Sequence, residues 1–147
     1  MATAYTKFYD HIVRQIMVEC TIQLPYSASV DYDNLLALWD TGANITCISA
    51  RLAEKLRLEP SDVVTIAVAN NELFHADVYY VQLSMGQFTI PFTKVLGIPM
   101  DESKELIIGM DVISKGDLAI SNFDGKTVLS FRAPSLERID FTKYDAS

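Results

Sequence analysis

Short apolar segments separated by turn residues run along most of this 147-residue chain and leave room for only one substantial helix. In residues 16–24, apolar and polar side chains alternate with a period of two, which is typical of a strand with one buried face. Further strands are predicted over residues 35–39, 63–69, 73–84, 88–96, 106–108, 118–123 and 127–131. Asp124-Gly125 is a strong hairpin signal between the last two. The pattern predicts a mostly β protein, either a barrel or a sandwich.

The main helix is predicted over residues 49–58. Ser49 is suited to its N-cap, Leu52 and Leu56 share one face, and Pro60 follows its end. A short helix over residues 110–115 is expected to stop at Gly116. The length favours one domain, which we place at residues 1–133, followed by a C-terminal tail at residues 134–147.

The formal net charge of −7 argues against nucleic acid or an anionic membrane surface as a partner. The chain has neither the 18 consecutive apolar residues of a membrane span nor a signal peptide pattern at its start. Cys20 and Cys47 are its only cysteines, and no Cys/His cluster has metal-ligand spacing. We therefore expect a reduced, cytoplasmic protein without a metal or organic cofactor.

Asp40 is the acidic residue in the most unusual context. The apolar run 35–39 before it is typical of a strand buried on both faces, and burying a charge costs on the order of several kcal/mol unless partners hold it. Gly42 would let backbone amides approach the carboxylate closely, and Thr41 adds a hydroxyl. This context makes Asp40 a candidate functional acid. The alternative is an ordinary turn, in which Asp and Gly are common.

Two motifs carry a resemblance to a known family. Residues 37–49, Ala-Leu-Trp-Asp-Thr-Gly-Ala-Asn-Ile-Thr-Cys-Ile-Ser, resemble the catalytic segment of the retroviral-type (retropepsin-like) aspartic proteases. Downstream, Leu106-Ile107-Ile108-Gly109 resembles the second signature of that family, in which apolar residues close on a glycine beside the catalytic loop. The order and the separation of the motifs both match, and the resemblance runs from about residue 16 to residue 131.

The resemblance implies a closed β-barrel of the acid protease fold and an aspartic endopeptidase that acts on extended polypeptides. Asp40 would be the acid/base, with Thr41 and Gly42 holding its loop. Ala43, Ile108 and Leu38 would line the cleft. Residues 63–84 would form the flap hairpin, with Ala69, Asn70 and Asn71 contacting substrate at its tip. The flap tip lacks the glycines common in retroviral flaps.

One Asp-Thr-Gly implies an obligate homodimer. The chemistry needs two carboxylates that share one proton, and the chain has no second Asp-Thr-Gly or Asp-Ser-Gly. A two-fold axis would bring a second copy of Asp40 beside the first. The termini do not match the terminal strands through which retroviral proteases pair, so we expect the Asp124-Gly125 hairpin to build the interface.

Other polar and aromatic residues have simpler interpretations. Trp39 is expected in the core, Cys47 as a structural thiol, and His75 on an exposed strand. Asp111 and Asp117, which flank the short helix, are expected to be solvated.

Two rival functions stay open at this point. One is an inactive dimerisation or peptide-binding module that keeps the fold. The other is an unrelated β-barrel with an incidental Asp-Thr-Gly turn that binds a small ligand.

Overall fold

The computed structural model describes residues 3–24, 32–68 and 70–143. Within these ranges the strands are β1 (Thr3–Phe8), β2 (Met17–Gln23), β3 (Tyr32–Trp39), β4 (Cys47–Ser49), β5 (Asp62–Ala67), β6 (Leu73–Met85), β7 (Phe88–Ile98), β8 (Leu106–Ile108), β9 (Asp117–Ser121) and β10 (Val128–Ala133). The helices are α1 (Ala50–Lys55) and α2 (Met110–Ile113), and short 3-10 turns occur at Phe123–Gly125 and Phe141–Lys143. No helix in these ranges is long and apolar enough to cross a membrane.

Six strands close into a barrel. The larger sheet has the order β2-β3-β8-β4-β7-β6-β5, and β2 pairs with β6 as well as with β3, which closes the ring. The pairs β3–β8 and β4–β7 are parallel, and the remaining pairs are antiparallel. Strand β5 extends the sheet beyond β6. The closed β-barrel that the resemblance implies is therefore confirmed.

The barrel is filled by the inward faces of these strands. On β2 the buried side chains are Val18, Cys20 and Ile22, as the alternation predicts. The interpretation of residues 35–39 as buried on both faces was wrong at Leu36, which is 49% exposed. Leu36 lies on the outer face of β3, whereas Leu38, on the same face and nearer the Asp40 loop, is buried.

The main helix begins where predicted, because the Ser49 Oγ accepts a hydrogen bond from the Leu52 N–H at 3.1 Å. It ends earlier than expected, at Lys55, since Arg57 adopts a φ of 55° that no helix can continue through. The second helix also ends early, at Ile113 with Ser114 as its C-cap, so Gly116 does not terminate it. Strands β1 and β4 had no prediction, because both depend on pairing with distant segments.

The β5–β6 hairpin forms where the sequence placed it. Its turn is closed by the Val68 N–H donating to the Glu72 carbonyl at 2.9 Å, and Asn71 takes a φ of 61°. Asparagine tolerates this left-handed conformation, so the turn forms without a glycine.

A smaller three-stranded sheet, with the order β1-β10-β9, packs beside the barrel. The β9–β10 hairpin is confirmed, with Asp124 and Gly125 both at positive φ in its loop. Phe131 of β10 turns toward the barrel, where its ring meets Trp39 at 5.1 Å and Phe88 at 5.6 Å between centroids. Trp39 is buried, as expected. The smaller sheet is thereby attached to the strand that leads to Asp40.

Asp117 was expected to be solvated, and this was wrong. Its side chain is 10% exposed and accepts hydrogen bonds from the Arg132 Nε at 2.8 Å, the Leu136 N–H at 2.9 Å and the Ser135 hydroxyl. The partners lie 15 or more residues away, so no local pattern signals them. These bonds hold the first residues after Ala133 against β9. The division into a domain and a tail at that point stays a prediction.

Acid is expected to weaken this contact. The hydroxyl of Ser135, then the Leu136 N–H and Arg132, hold the pKa of Asp117 well below its ordinary value of about 4. Because the folded-state pKa is lowered, the stabilisation is complete above about pH 4 and is lost as the pH falls toward the folded-state pKa. Urea unfolding of wild type and Asp117→Asn should differ at pH 5, and the difference should shrink below pH 4. A constant difference would show that Asp117 stabilises the fold only as a neutral group.

Candidate active site

The Asp40 loop leaves the barrel wall at the end of β3. The Trp39 N–H donates to the Ile16 carbonyl on one side, and the Asp40 N–H donates to the Ile108 carbonyl on the other, both at 2.9 Å. Strand β3 runs parallel to β8 here, with Trp39 beside Ile108. The two sequence motifs therefore meet in space, as the resemblance implies.

The Asp40 carboxylate is oriented by its own loop. Its Oδ1 accepts the Gly42 N–H at 2.8 Å, and its backbone carbonyl accepts the Ala43 N–H at 3.2 Å. The residue is half-buried, whereas Thr41 and Gly42 are exposed and Ala43 is half-buried. The carboxylate is thus fixed at one oxygen on a loop that solvent reaches.

The residues expected to line the cleft or to contact substrate differ in their exposure. Ile108 is fully buried and packs in the barrel core, so it contributes its carbonyl to the loop rather than an exposed side chain. Leu38 is also buried. Asn70 and Asn71 are exposed at the tip of the β5–β6 hairpin, and Ala69 lies outside the described residues. The assignments of these residues to substrate contact stay predictions.

The start of α2 holds the chain that follows Gly42. The Met110 N–H donates to the Ala43 carbonyl at 2.8 Å, and the Asp111 N–H donates to the Asn44 carbonyl at 3.2 Å. A Cβ on Gly109 would lie 2.8 Å from the Ala43 carbonyl oxygen and 2.9 Å from the Ile45 carbonyl carbon. The glycine that closes the second motif is therefore required by the close approach of these two backbones.

Thr46 and Asp111 form a contact that the sequence reasoning missed. The Asp111 carboxylate accepts the Thr46 hydroxyl at 2.8 Å and the Thr46 N–H at 3.0 and 3.1 Å. The expectation that Asp111 is solvated was wrong, and no local pattern signals this contact because Thr46 lies 65 residues away in the sequence. The sequence offers one signal of this contact. Thr46, which carries a hydroxyl, comes directly before strand β4 and its buried Ile48.

The two cysteines are poorly suited to act as nucleophiles. Burial raises the pKa of the Cys47 thiol to about 11 and that of Cys20 to about 12, so little thiolate forms at neutral pH. His75 is on an exposed strand, as expected, and bonds to the Thr65 hydroxyl at 2.9 Å. In the described ranges no three His, Cys, Asp or Glu residues are grouped to hold a metal ion.

Comparison with known proteins agrees with this geometry. The profile of the family described as gag-polyprotein putative aspartyl protease matches residues 27–115, which include both motifs. The structure is similar to that of a retropepsin-like aspartic protease from Rickettsia conorii, with a TM-score of 0.55 and 12% identity over 90% of this chain and 96% of that chain.

Two weaker similarities cover less of the chain. The simian foamy virus (mac) protease gives a TM-score of 0.45 and 23% identity over 65% of this chain and 89% of that chain. The retroviral protease-like domain of Ddi1 from Leishmania major gives a TM-score of 0.46 and 20% identity over 74% of this chain and 82% of that chain. No curated protein matches the sequence. From the family profile and the Rickettsia structure, the chain belongs to the gag-polyprotein putative aspartyl protease family and has the retropepsin-like fold.

Proposed function

We propose that this chain is an aspartic endopeptidase that works as a homodimer with one Asp40 from each copy. The observation that carries the proposal is the Asp40 carboxylate itself. The residue is half-buried at the end of a barrel strand. Its Oδ1 accepts a hydrogen bond from the Gly42 N–H, and its backbone N–H donates to the Ile108 carbonyl of the second motif. A carboxylate that is both fixed and reachable is what acid/base catalysis on a peptide needs.

Two such carboxylates would have different roles, one as the general base and the other as the general acid. One takes a proton from a water molecule, whose oxygen attacks the peptide carbonyl carbon, while the other, protonated, donates to the carbonyl oxygen. The tetrahedral intermediate then collapses: the carboxyl that took the proton from water passes it to the leaving nitrogen as the C–N bond breaks, and the former carbonyl oxygen returns its proton to the other carboxylate. Like charges a few ångströms apart cannot both be ionised, so the pair holds the single proton that this cycle requires.

The β5–β6 hairpin is suited to cover an extended polypeptide. Near its tip the apolar side chains of Val68 and Leu73 are exposed, alongside the polar Asn70 and Asn71. Exposed apolar side chains that are grouped and bordered by polar residues are typical of a surface that binds a partner. An extended peptide under this flap would pair through its backbone and place alternate side chains in pockets. Closure would exclude water from the carboxylates.

The second copy would dock on the outer edge of the smaller sheet. In the described chain β9 pairs only with β10, so its other edge is open. Ile120 lies opposite the buried Leu129, on the side of the sheet that faces the core. It is nevertheless 47% exposed, because no strand of the described chain pairs with the outer edge of β9. Phe123, at the hairpin loop, is 89% exposed. This surface includes the Asp124-Gly125 hairpin expected to build the interface.

Ile120→Lys is expected to weaken dimerisation by roughly 30-fold or more, because interface hot spots are worth about 2 kcal/mol and a lysine on an open edge opposes pairing. Activity should fall with it and return at high protein concentration. Sedimentation and cleavage measured over the same concentrations check both effects. Leu36→Lys is the matched control, since Leu36 is 49% exposed on the outer face of β3 and should leave the dimer intact. Equal effects of both lysines would contradict the assignment of this edge.

The experiment that tests the function is cleavage of an unfolded protein mixture between about pH 4 and 7 over a range of enzyme concentrations. A shared site predicts a rate per chain that rises with concentration and then levels off as the dimer forms. Absence of cleavage from a preparation shown to be dimeric would favour the peptide-binding module. The cytoplasmic location stays a prediction.

A further inference from the structure

Thr46 is a fully buried polar residue whose hydroxyl has two partners. It donates to the Asp111 Oδ1 at 2.8 Å and accepts the Gly109 N–H at 3.1 Å. Buried hydroxyls are costly unless they are hydrogen-bonded, and this one is satisfied on both sides. Its neighbours connect it with the Asp40 loop.

The peptide between Ile108 and Gly109 makes that connection. Its N–H donates to the Thr46 hydroxyl, and its carbonyl accepts the Asp40 N–H at 2.9 Å. A peptide group is planar, so fixing the orientation of its N–H also fixes that of its carbonyl. The Thr46 hydroxyl therefore fixes the group on which the Asp40 backbone rests.

We propose that Asp111 and Thr46 are positioning residues that set the orientation of Asp40. A hydrogen-bond relay runs from the Asp111 carboxylate through the Thr46 hydroxyl and the Ile108–Gly109 peptide to the Asp40 N–H. Consecutive hydrogen bonds polarise and strengthen one another, so the loss of one of them weakens its neighbours. The catalytic part of this inference rests on the proposed function, whereas the relay itself does not.

The Asp111 carboxylate, at the far end of the relay, is held by several hydrogen bonds. The Asp111 carboxylate also accepts the Thr46 N–H through both oxygens and the Val112 N–H at 2.9 Å, so it is surrounded by donors. An Asn at position 111 would place its NH₂ group opposite one of these donors. We therefore expect Asp111→Asn to disturb the relay despite its similar shape.

Thr46→Val is the sharpest test, because it keeps the shape of the side chain and removes only the hydroxyl. Misplacing a catalytic group by a fraction of an ångström to one ångström costs up to about 100-fold in rate. We expect kcat on a cleaved peptide to fall by roughly 10- to 100-fold with KM changed less than about threefold. Thr46→Ser, which restores a hydroxyl, should recover kcat to within about threefold.

The measurements are made on fully dimeric protein well below the melting temperature of each variant, so that lost stability does not enter the rates. Thr93→Val is the matched control, because Thr93 is also buried and its hydroxyl bonds to the Ile90 carbonyl at 3.3 Å, away from the Asp40 loop. It should leave kcat unchanged. An unchanged kcat in Thr46→Val, or an equal loss in Thr93→Val, would overturn the inference.

Amide hydrogen exchange separates failure of the relay from failure of the proposed function. In Thr46→Val the Asp40 and Gly109 amides should exchange at least about tenfold faster than in wild type, and in Thr46→Ser they should not. If wild type cleaves nothing, the proposed function fails, and the exchange rates alone decide the relay. Unchanged protection of the Asp40 amide in Thr46→Val would overturn the relay whatever the activity.

Discussion

Asp40→Asn should abolish peptide cleavage, with a fall of at least about 10³-fold in kcat/KM, because neither copy could then take or give the shared proton. The fold should survive, since an Asn oxygen can still accept the Gly42 N–H that now meets the Asp40 Oδ1 at 2.8 Å. We expect the free energy of unfolding to stay within about 1 kcal/mol of wild type. Cleavage rates and denaturant unfolding of both proteins, side by side, check the two parts.

Mixing the two proteins tests whether the site is shared. With Asp40→Asn in tenfold excess and exchange of partners complete, nearly every wild-type chain is paired with a mutant, so wild-type cleavage should fall by about tenfold. The mixed pair carries one Asp40 and cannot hold a proton between two carboxylates. Undiminished cleavage in the mixture, from subunits shown to exchange, would mean that each chain acts alone and would end the proposal of a shared site.

Gly116→Ala is expected to destabilise the fold by about 3 kcal/mol or more, at the upper end for overpacked positions. A Cβ at this position would lie 1.8 Å from the Arg132 carbonyl oxygen and 2.8 Å from its carbonyl carbon. Both are backbone atoms of β10, so no side-chain rotation relieves the clash, and β9 must move away from its partner. Thermal unfolding should show a melting temperature lower by roughly 10 °C.

Gly125→Ala is the informative comparison. Gly125 has a φ of 72°, but a Cβ there would meet no atom within 4 Å. Its cost is that of an alanine in the left-handed region, about 1 to 2 kcal/mol. Gly116 should therefore be the more sensitive glycine although only Gly125 has a positive φ. A Gly116→Ala protein as stable as Gly125→Ala would mean that β9 shifts at little cost and that the hairpin packing is loose.

Local chemistry made several features predictable. The N-cap at Ser49 and the turn at Asn71 depend on groups within four residues of each other. The alternation in β2 reports a single buried face. Local reasoning did not predict the environment of Ile108. The motif places this residue beside the Asp40 loop, but its side chain points into the core of the barrel.

The misjudged acids show why other features were not predictable. Asp111 and Asp117 flank a short helix, a context in which carboxylates are usually solvated, and their side-chain donors lie far from them in the sequence. Those donors are Thr46 for the one acid, and Ser135 and Arg132 for the other. Such contacts appear only when the barrel brings distant backbones together. Leu36 was misjudged for the same reason, since a continuous apolar run does not tell which face a barrel leaves outside.

The sequence was enough to predict most of the strands in the described ranges, the start of the main helix, the hairpin turns and Asp40 as the candidate acid. These follow from side-chain periodicity, capping and one motif, all of which act over a few residues. The barrel was needed to show what holds Asp40 in place, from the Ile108 carbonyl back to Thr46 and Asp111. A buried polar group must be satisfied by whatever donor or acceptor the fold brings to it, at any distance along the chain.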